Sequence, residues 1–537
     1  MKRRFAFTLA CCALSGVFIL PVLGQDKSEQ DVPVMKPEIQ MGKHDVSRPL
    51  REIAPQEVSG KRNGKEPLPF LGKGVGQGGD DGALQAALGL APSPLVSVTA
   101  GLNFDGVGQA FTGPQGNFTV NSAPPDTTGA VGATQFVQWV NTSFAVFSKA
   151  NGSVVYGPAA GSTLWAGFGG ACQNNNDGDP IVQYDKAANR WVLSQFAVPG
   201  GTQGFWQCVA VSQTSDATGA YNRYAFQYAG FNDYPKVGVW PDGYYVTYNM
   251  FNATGTSFTG GRACAFDRAK MLAGQAATQI CFQLSTSFGG LQPGDLDGAT
   301  APPAGAPNPV VAFGTNVLQY WKFHVDWTTP ASSTFTGPTN LAVASFTAPG
   351  TIVTQSSSTQ KLDTLGDRLM FRAAYRNFGS YESLLLSHAV RLGNGNSVRT
   401  GVRWYELRNL SGTPTVNQQA TYSPDNVYRW MSSIAQDKQG NIAVGYNASS
   451  RNLGVNPGVR IAARAPTDAP NTLGSETIIR NGTGAQNGGL SRWGDYSHLS
   501  IDPADDCTFW YTTEYMNATG SFNWRTRINS FKLGTCQ

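Results

Sequence analysis

The stretch from Gly178 to Tyr228 holds four strand-like runs in succession: "DPIVQYD" (179–185), "NRWVLSQFA" (189–197), "FWQCVAVSQ" (205–213) and "YNRYAFQY" (221–228). Each is rich in β-branched and aromatic residues, and polar turns separate them, so the stretch predicts a four-stranded antiparallel meander. The following residues repeat the order with "KVGVW" (236–240), "GYYVTYNMF" (243–251), "GRACAFDRA" (261–269) and "TQICFQLS" (278–285).

The opening hairpin recurs at Thr127 ("TTGAVGATQFVQWVN"), Leu362 ("LDTLGDRLMFRAAYR"), Arg429 ("RWMSSIAQDKQGNIAVGYN") and Asp495 ("DYSHLSIDPADDCTFWYTTEY"). A less regular copy surrounds "NPVVAFGTNVLQYWKFHVDW" from Asn308. Seven such units, about 50 to 75 residues apart, predict an all-β fold, a seven-bladed β-propeller. The last unit has only three strands of its own, so "LVSVTAGLNF" (95–104) is expected to complete it and close the ring.

Outward from this core, residues 1–24 read as a secretory signal peptide with cleavage after Gly24, having a basic start and an apolar middle. Residues 25–94 lack sustained periodicity and are expected to be a flexible leader, and 95–537 the propeller domain. No later run reaches the roughly 18 apolar residues of a spanning helix. A secreted chain, extracellular or periplasmic and monomeric, is the expectation. Net charge is +4 with 14% charged residues, too mild and dispersed for nucleic acid.

Of eight cysteines, six lie beyond residue 24, an even number that suits disulfides in an exported chain. The strand layout pairs Cys264 with Cys281, Cys507 with Cys536, and Cys172 with Cys208, all within single units.

An acid precedes the first strand of most units: Asp126, Asp179, Asp233, Asp363 and Asp495, with Asp295 or Asp297 as a looser match. All first strands of a propeller run alike along the channel, so these acids are expected as a ring at one mouth. Three roles are open to such a ring. The carboxylates can bond local backbone N–H groups. They can hold Ca²⁺, for which "NNNDGDP" with Asp177 and Asp179 offers oxygen ligands. Or Asp179, Asp233 and Asp495, with Glu406, can serve glycoside hydrolysis, which needs two carboxyl groups across a bond. Arg376, His388 and Arg403 are candidates for binding a uronate in a polysaccharide-lyase reaction, and Trp404, Tyr405 and Trp493 for stacking sugar rings. The function expected is binding or cleavage of an extracellular carbohydrate or surface polymer; the alternative is a non-catalytic adhesion module. No Gly-x-Ser-x-Gly elbow, Walker loop, dinucleotide fingerprint or His-Glu-x-x-His occurs.

Taken in order, "PPDTTGAVG", "NDGDPIVQYD", "DYPKVGVWPDGYYVTYN", "CAFDRAKMLAG", "AYRNFGSYESLLLSHAV", "GVRWYELR" and "RWGDYSHLSIDPADDCTFWYTTEY" resemble a family of large secreted bacterial β-propeller-like proteins. The resemblance spans about residues 95–537. It implies a secreted or surface location in a bacterium and assigns no catalytic residue.

Overall fold

The computed structural model describes residues 35–56, 63–64, 81–85, 96–199 and 203–536; the expected signal peptide lies outside them. Among the described residues the strands form antiparallel units of four, each a meander from an inner to an outer strand. The first is Thr128–Val131, Gln135–Val140, Ser143–Ser148 and Val154–Ala160; the second is Ile181–Asp185, Arg190–Ala197, Phe205–Ser212 and Tyr221–Tyr228. The third is Asn232–Val239, Gly243–Phe251, Phe258–Asp267 and Thr278–Gln283, and the fourth is Gln292–Asp297, Asn308–Gly314, Val317–His324 and Thr334–Ala342. The fifth is Ala373–Asn377, Glu382–Leu392, Arg399–Arg408 and Thr415–Tyr422, and the sixth is Tyr428–Gln436, Ile442–Ser450, Val455–Arg464 and Thr477–Gly482. In the seventh, His498–Ile501, Phe509–Met516 and Trp524–Leu533 are completed by Val98–Asp105, whose register runs from Asp105 opposite Arg527 to Val98 opposite Leu533.

The inner strands neighbour one another in chain order, and the seventh returns to the first, so the ring closes as a β-propeller. Units four and five are joined more tightly, by parallel pairing of Gly294–Asp297 with Ala373–Arg376. Both faces of a unit are covered by its neighbours, which is why strands such as "GYYVTYNMF" are buried along their whole length. Aromatic pairs fill the seams: Phe226 stacks on Phe266 at 4.6 Å between units two and three, and Phe136 on Trp510 at 5.3 Å between units one and seven.

Disulfides join Cys264 to Cys281 within unit three and Cys507 to Cys536 within unit seven, while Cys172, on the short helix Ala171–Asn174 that connects unit one to unit two, is joined to Cys208 of unit two. Cys264 and Cys281 stand directly opposite on adjacent strands. No helix among the described residues is long and apolar enough to cross a membrane.

The described residues of the leader include strands where a flexible chain was expected. Lys43–Val46 adds a fifth strand to unit two and Glu38–Met41 one to unit three. Asp45 takes a forked pair of hydrogen bonds from Arg223 (2.8 and 2.7 Å), and Glu38 another from Arg262 (3.2 and 2.7 Å). Between the two strands Gly42 passes so close to Phe226 that a Cβ would sit 2.7 Å from the ring. Further on, Asp81 pairs with Arg403 at 2.6 Å and docks residues 81–85 on unit five. These outer strands pair through backbone groups, and four residues are too few for an apolar alternation to appear in the sequence.

Candidate functional site

All inner strands begin at one end of the channel, the entry mouth, and finish at the other, the exit mouth. What recurs at the entry is a left-handed backbone residue: Asp126 (φ 49°), Asp179 (46°), Tyr234 (56°), Met431 (52°) and Asp495 (58°). A left-handed turn favours Asp among non-glycine residues, which explains the repeated acid. Unit three fills the slot with Tyr234, since "YP" at 234–235 matches "DP" at 179–180. Asp233 therefore falls one residue outside the repeated position and lies in the ladder opposite Asn249. Asp363 belongs to a preceding turn, where it accepts the N–H groups of Thr364 (2.7 Å) and Leu365 (3.2 Å). Asp295 and Asp297 lie at the far end of their strand, away from the entry.

The entry is a closed plug with a lysine in it. Lys236 is fully buried, donates to Pro235 O at 2.9 Å, and lies 3.3 and 4.0 Å from the ring centroids of Tyr234 and Tyr496. Burial depresses its ammonium to a pKa of about 7, against the attraction of Asp179, Asp495 and Asp126. Arg368 stacks on Tyr234 at 4.5 Å, and Arg492 pairs with Asp495. Burial works against the Arg492 charge, but Asp495, Asp126 and Asp363 outweigh it and raise its pKa. Behind this layer burial pushes the Glu514 carboxyl well above the usual range, although Gly494 N–H donates to it at 2.8 Å. Asp126, Asp179 and Asp495 thus hold the repeated entry position, with Asp363 on a neighbouring turn and Asp233 one residue out, around cations that the repeat pattern did not announce.

The exit mouth is open. A cavity of about 300 Å³ is lined there by turns from units two, three, four and seven, including Asp185, Lys186, Trp240, Arg268, Leu296 and Asp506. Arg268 grips Asp185 through two hydrogen bonds (2.6 and 3.0 Å), and the Tyr244 hydroxyl adds a third at 2.9 Å. Arg376 grips Asp506 likewise, at 2.7 Å twice. Beneath the rim Lys186 and Arg372 both pair with Asp297, and Arg372 reaches Asp295 at 2.9 Å. Burial alone would raise Asp297; Arg372, Lys186 and Arg376 bring it down to about 2. Gly298 (φ 77°) lets the rim pass over Arg376, since a Cβ there would meet its Nη1 at 2.5 Å. Trp240 forms the apolar wall, fixed by its N–H to Ala306 O (3.0 Å) and by edge packing on Tyr375 (4.6 Å).

The remaining sequence candidates are dispersed. Arg376 lies beneath the exit rim. His388 is buried against Phe313, Phe346 and Tyr405, and burial, reinforced by Arg403, lowers its pKa to about 3. Its Nδ1 donates to Ala389 O (3.0 Å), leaving Nε2 to accept the Tyr405 hydroxyl (3.0 Å). Arg403 anchors Asp81, and Trp404 and Tyr405 are fully buried in seams, so none of the three offers a surface to a sugar. Trp493 is buried too, its N–H on Asn447 Oδ1 at 3.1 Å. Glu406 accepts Ser383, Arg408, Asn417 and Gln418 at 3.2, 2.9, 2.8 and 2.7 Å. Asp177 accepts Val198 N–H at 2.6 Å. No three His, Cys, Asp or Glu side chains converge on a metal position among the described residues. A Ca²⁺ at Asp177 and Asp179 would need carbonyl and amide oxygens of "NNNDGDP" to complete it.

The residues that sequence reasoning missed are Lys236, Trp240, Arg268 and Asp506. Lys236 carried a signal: it stands where unit two has Ile181, a charge inside an otherwise apolar run.

No protein-family model and no curated protein sequence matches the chain. Among solved structures it is similar to phage phi92 endosialidase, at 9% identity and a TM-score of 0.38, over 65% of this chain and 66% of that one. It is also similar to the N-terminal domain of Nup159, at 6% identity and 0.34, over 84% and 99%. An exo-β-1,3-galactanase from Phanerochaete chrysosporium matches at 11% identity and 0.30, over 81% and 97%.

Proposed function

We propose that the protein is an exported β-propeller that binds an extracellular glycan, or a related hydroxyl-rich surface polymer, at the exit mouth of its channel. The observation that supports this is the lining of the 300 Å³ cavity: two carboxylates, Asp185 and Asp506, balanced by Lys186 and Arg268, beside a wall of Trp240, Pro241 and Leu296. A neutral polyhydroxyl ligand carries donors and acceptors at its edges and C–H surface on its faces, and this rim and wall suit both. A strongly charged ligand would have to displace ion pairs that are already made.

Binding is favoured over bond cleavage. A glycosidase needs one carboxyl group free to protonate the leaving oxygen and a second to attack or activate water. At the exit mouth both oxygens of Asp185 and of Asp506 are held by a guanidinium. The three disulfides support an oxidising compartment outside the cytosol.

The test is a panel of neutral and uronate polysaccharides, read for both affinity and released sugars. Neutral glycans are expected to bind without product release, and Ala299→Trp, a bulky change at the exposed cavity rim, to abolish binding. Chelator is expected to change nothing, because the lining carboxylates already have cationic partners. Product release from any glycan overturns the non-catalytic reading.

A further inference from the structure

The exit cavity has a floor. Beneath its lining residues Lys186 and Leu296, the Asp297 carboxylate is 3% exposed and is shared by Lys186 and Arg372. Arg372, 1% exposed, rises from the start of the inner strand of unit five, reaches Asp295 of unit four at 2.9 Å, and donates from Nε to Leu499 O of unit seven at 3.0 Å. It therefore bridges three blades across the channel. Toward the entry the filling continues. His498 is fully buried, takes the Gly129 N–H on Nδ1 at 3.3 Å and packs edge-on against Phe371 at 4.9 Å. Lys236, between Tyr234 and Tyr496, then closes the far end. Among the described residues, buried side chains thus block the channel along its length, and the cavity is a cup that opens at the exit face.

The rim is fixed on both sides. The loop "GATAPPAGAP" (298–307) of unit four is tied at Ala306 O by the Trp240 N–H (3.0 Å) and at Ala301 O by the Asn377 amide (2.7 Å), so it is held by units three and five together. On unit seven, Asp506 is gripped by Arg376 (2.7 Å twice) and accepts the Lys438 N–H at its carbonyl (2.9 Å).

Resting on the channel reading, we propose that the exit mouth recognises the end of a glycan chain: the terminal residue enters the cup and the rest of the chain leaves through the mouth. An internal residue carries glycosidic links on two sides and needs two ways out to reach a floor; a terminal residue needs one. A volume of about 300 Å³ equals about ten waters at roughly 30 Å³ each, room for one sugar ring and part of a second. The partly exposed groups in the cup suit a ring of hydroxyls. Lys186 gives one of its three N–H donors to Asp297, leaving donors for a sugar oxygen. Each Asp506 oxygen keeps acceptor capacity beyond its bond to Arg376, and Pro241 and Leu296 face the C–H surface.

The experiment titrates the whole protein with amylose, a linear β-1,3-glucan, a β-1,4-xylan and a β-1,4-galactan, each intact and after partial acid hydrolysis, at equal sugar mass. Hydrolysis multiplies chain ends and leaves mass and linkage unchanged. Where chains are cut to about one-tenth of their length, about tenfold less sugar mass is expected to half-saturate the protein, because the concentration of ends sets occupancy. Ala299→Trp, at the exposed rim, is expected to remove this binding. Binding that follows mass whatever the chain length overturns end recognition and leaves the channel reading standing. No binding to any of the four in either form, or end-dependent binding that survives Ala299→Trp, overturns the channel reading and end recognition at this mouth with it.

Discussion

The entry and exit mouths are the two ends of the same inner strands, and they differ in what their charges do. At the entry, Asp126, Asp179 and Asp495 repeat because the backbone needs a left-handed residue there, and they close around one buried lysine. At the exit, Asp185, Lys186, Trp240 and Asp506 come from turns that differ from unit to unit, and they surround open space. Repetition in this propeller marks what every blade needs to be built. The candidate binding surface is made where the blades stop resembling one another.

The sharpest way to break this contrast is to remove one cation from each end. Lys236→Met removes one of the cations facing Asp179, Asp495 and Asp126, of which Asp495 and Asp126 keep Arg492. It is expected to cost about 3–5 kcal/mol in denaturant unfolding at pH 9, where the folded protein no longer carries a buried ammonium. Lys186→Met is expected to cost only about 1 kcal/mol, because Asp297 keeps Arg372 and the lysine is partly exposed. Equal losses would mean that the two mouths are not built differently. Between these two in size, replacing Cys264 and Cys281 by serine should cost about 3 kcal/mol or less, read by the same unfolding curves.

A pH series sharpens the comparison further. The Lys236 pKa is about 7 in the folded protein and about 10.4 when unfolded. Between those values the unfolded chain binds the extra proton, so this group adds stability as pH rises through the window and withholds it as pH falls toward 7. Wild type should gain on the order of 1 kcal/mol per pH unit relative to Lys236→Met from pH 7 to 9. Parallel stability curves would contradict a buried, destabilised ammonium. The smallest stability effect, within about 0.5 kcal/mol, is expected for Ala299→Trp at the exposed rim.

The fold was legible because its strands carry their own evidence: "GYYVTYNMF" and "NRWVLSQFA" are apolar, β-prone and bounded by turns. The outer strands "EIQM" and "KHDV" were not, since backbone pairing on an existing edge asks nothing of side chains. The entry acids were legible as a group, but Asp233 was assigned one residue out, because the repeated feature is a conformation that Tyr234 also adopts. The exit site was illegible for a related reason. Arg268 follows a strand of unit three, and Asp506 comes from a turn more than two hundred residues away in the chain, so only closure of the ring brings them to one cavity.

A glycan that meets the exit mouth leaves the entry untouched. The most direct test of this placement is the affinity of Ala299→Trp and of Asp233→Asn for a neutral glycan that the wild type binds. Binding is expected to be lost in Ala299→Trp and unchanged in Asp233→Asn. Retained binding in Ala299→Trp together with loss in Asp233→Asn would place the site at the entry and contradict it.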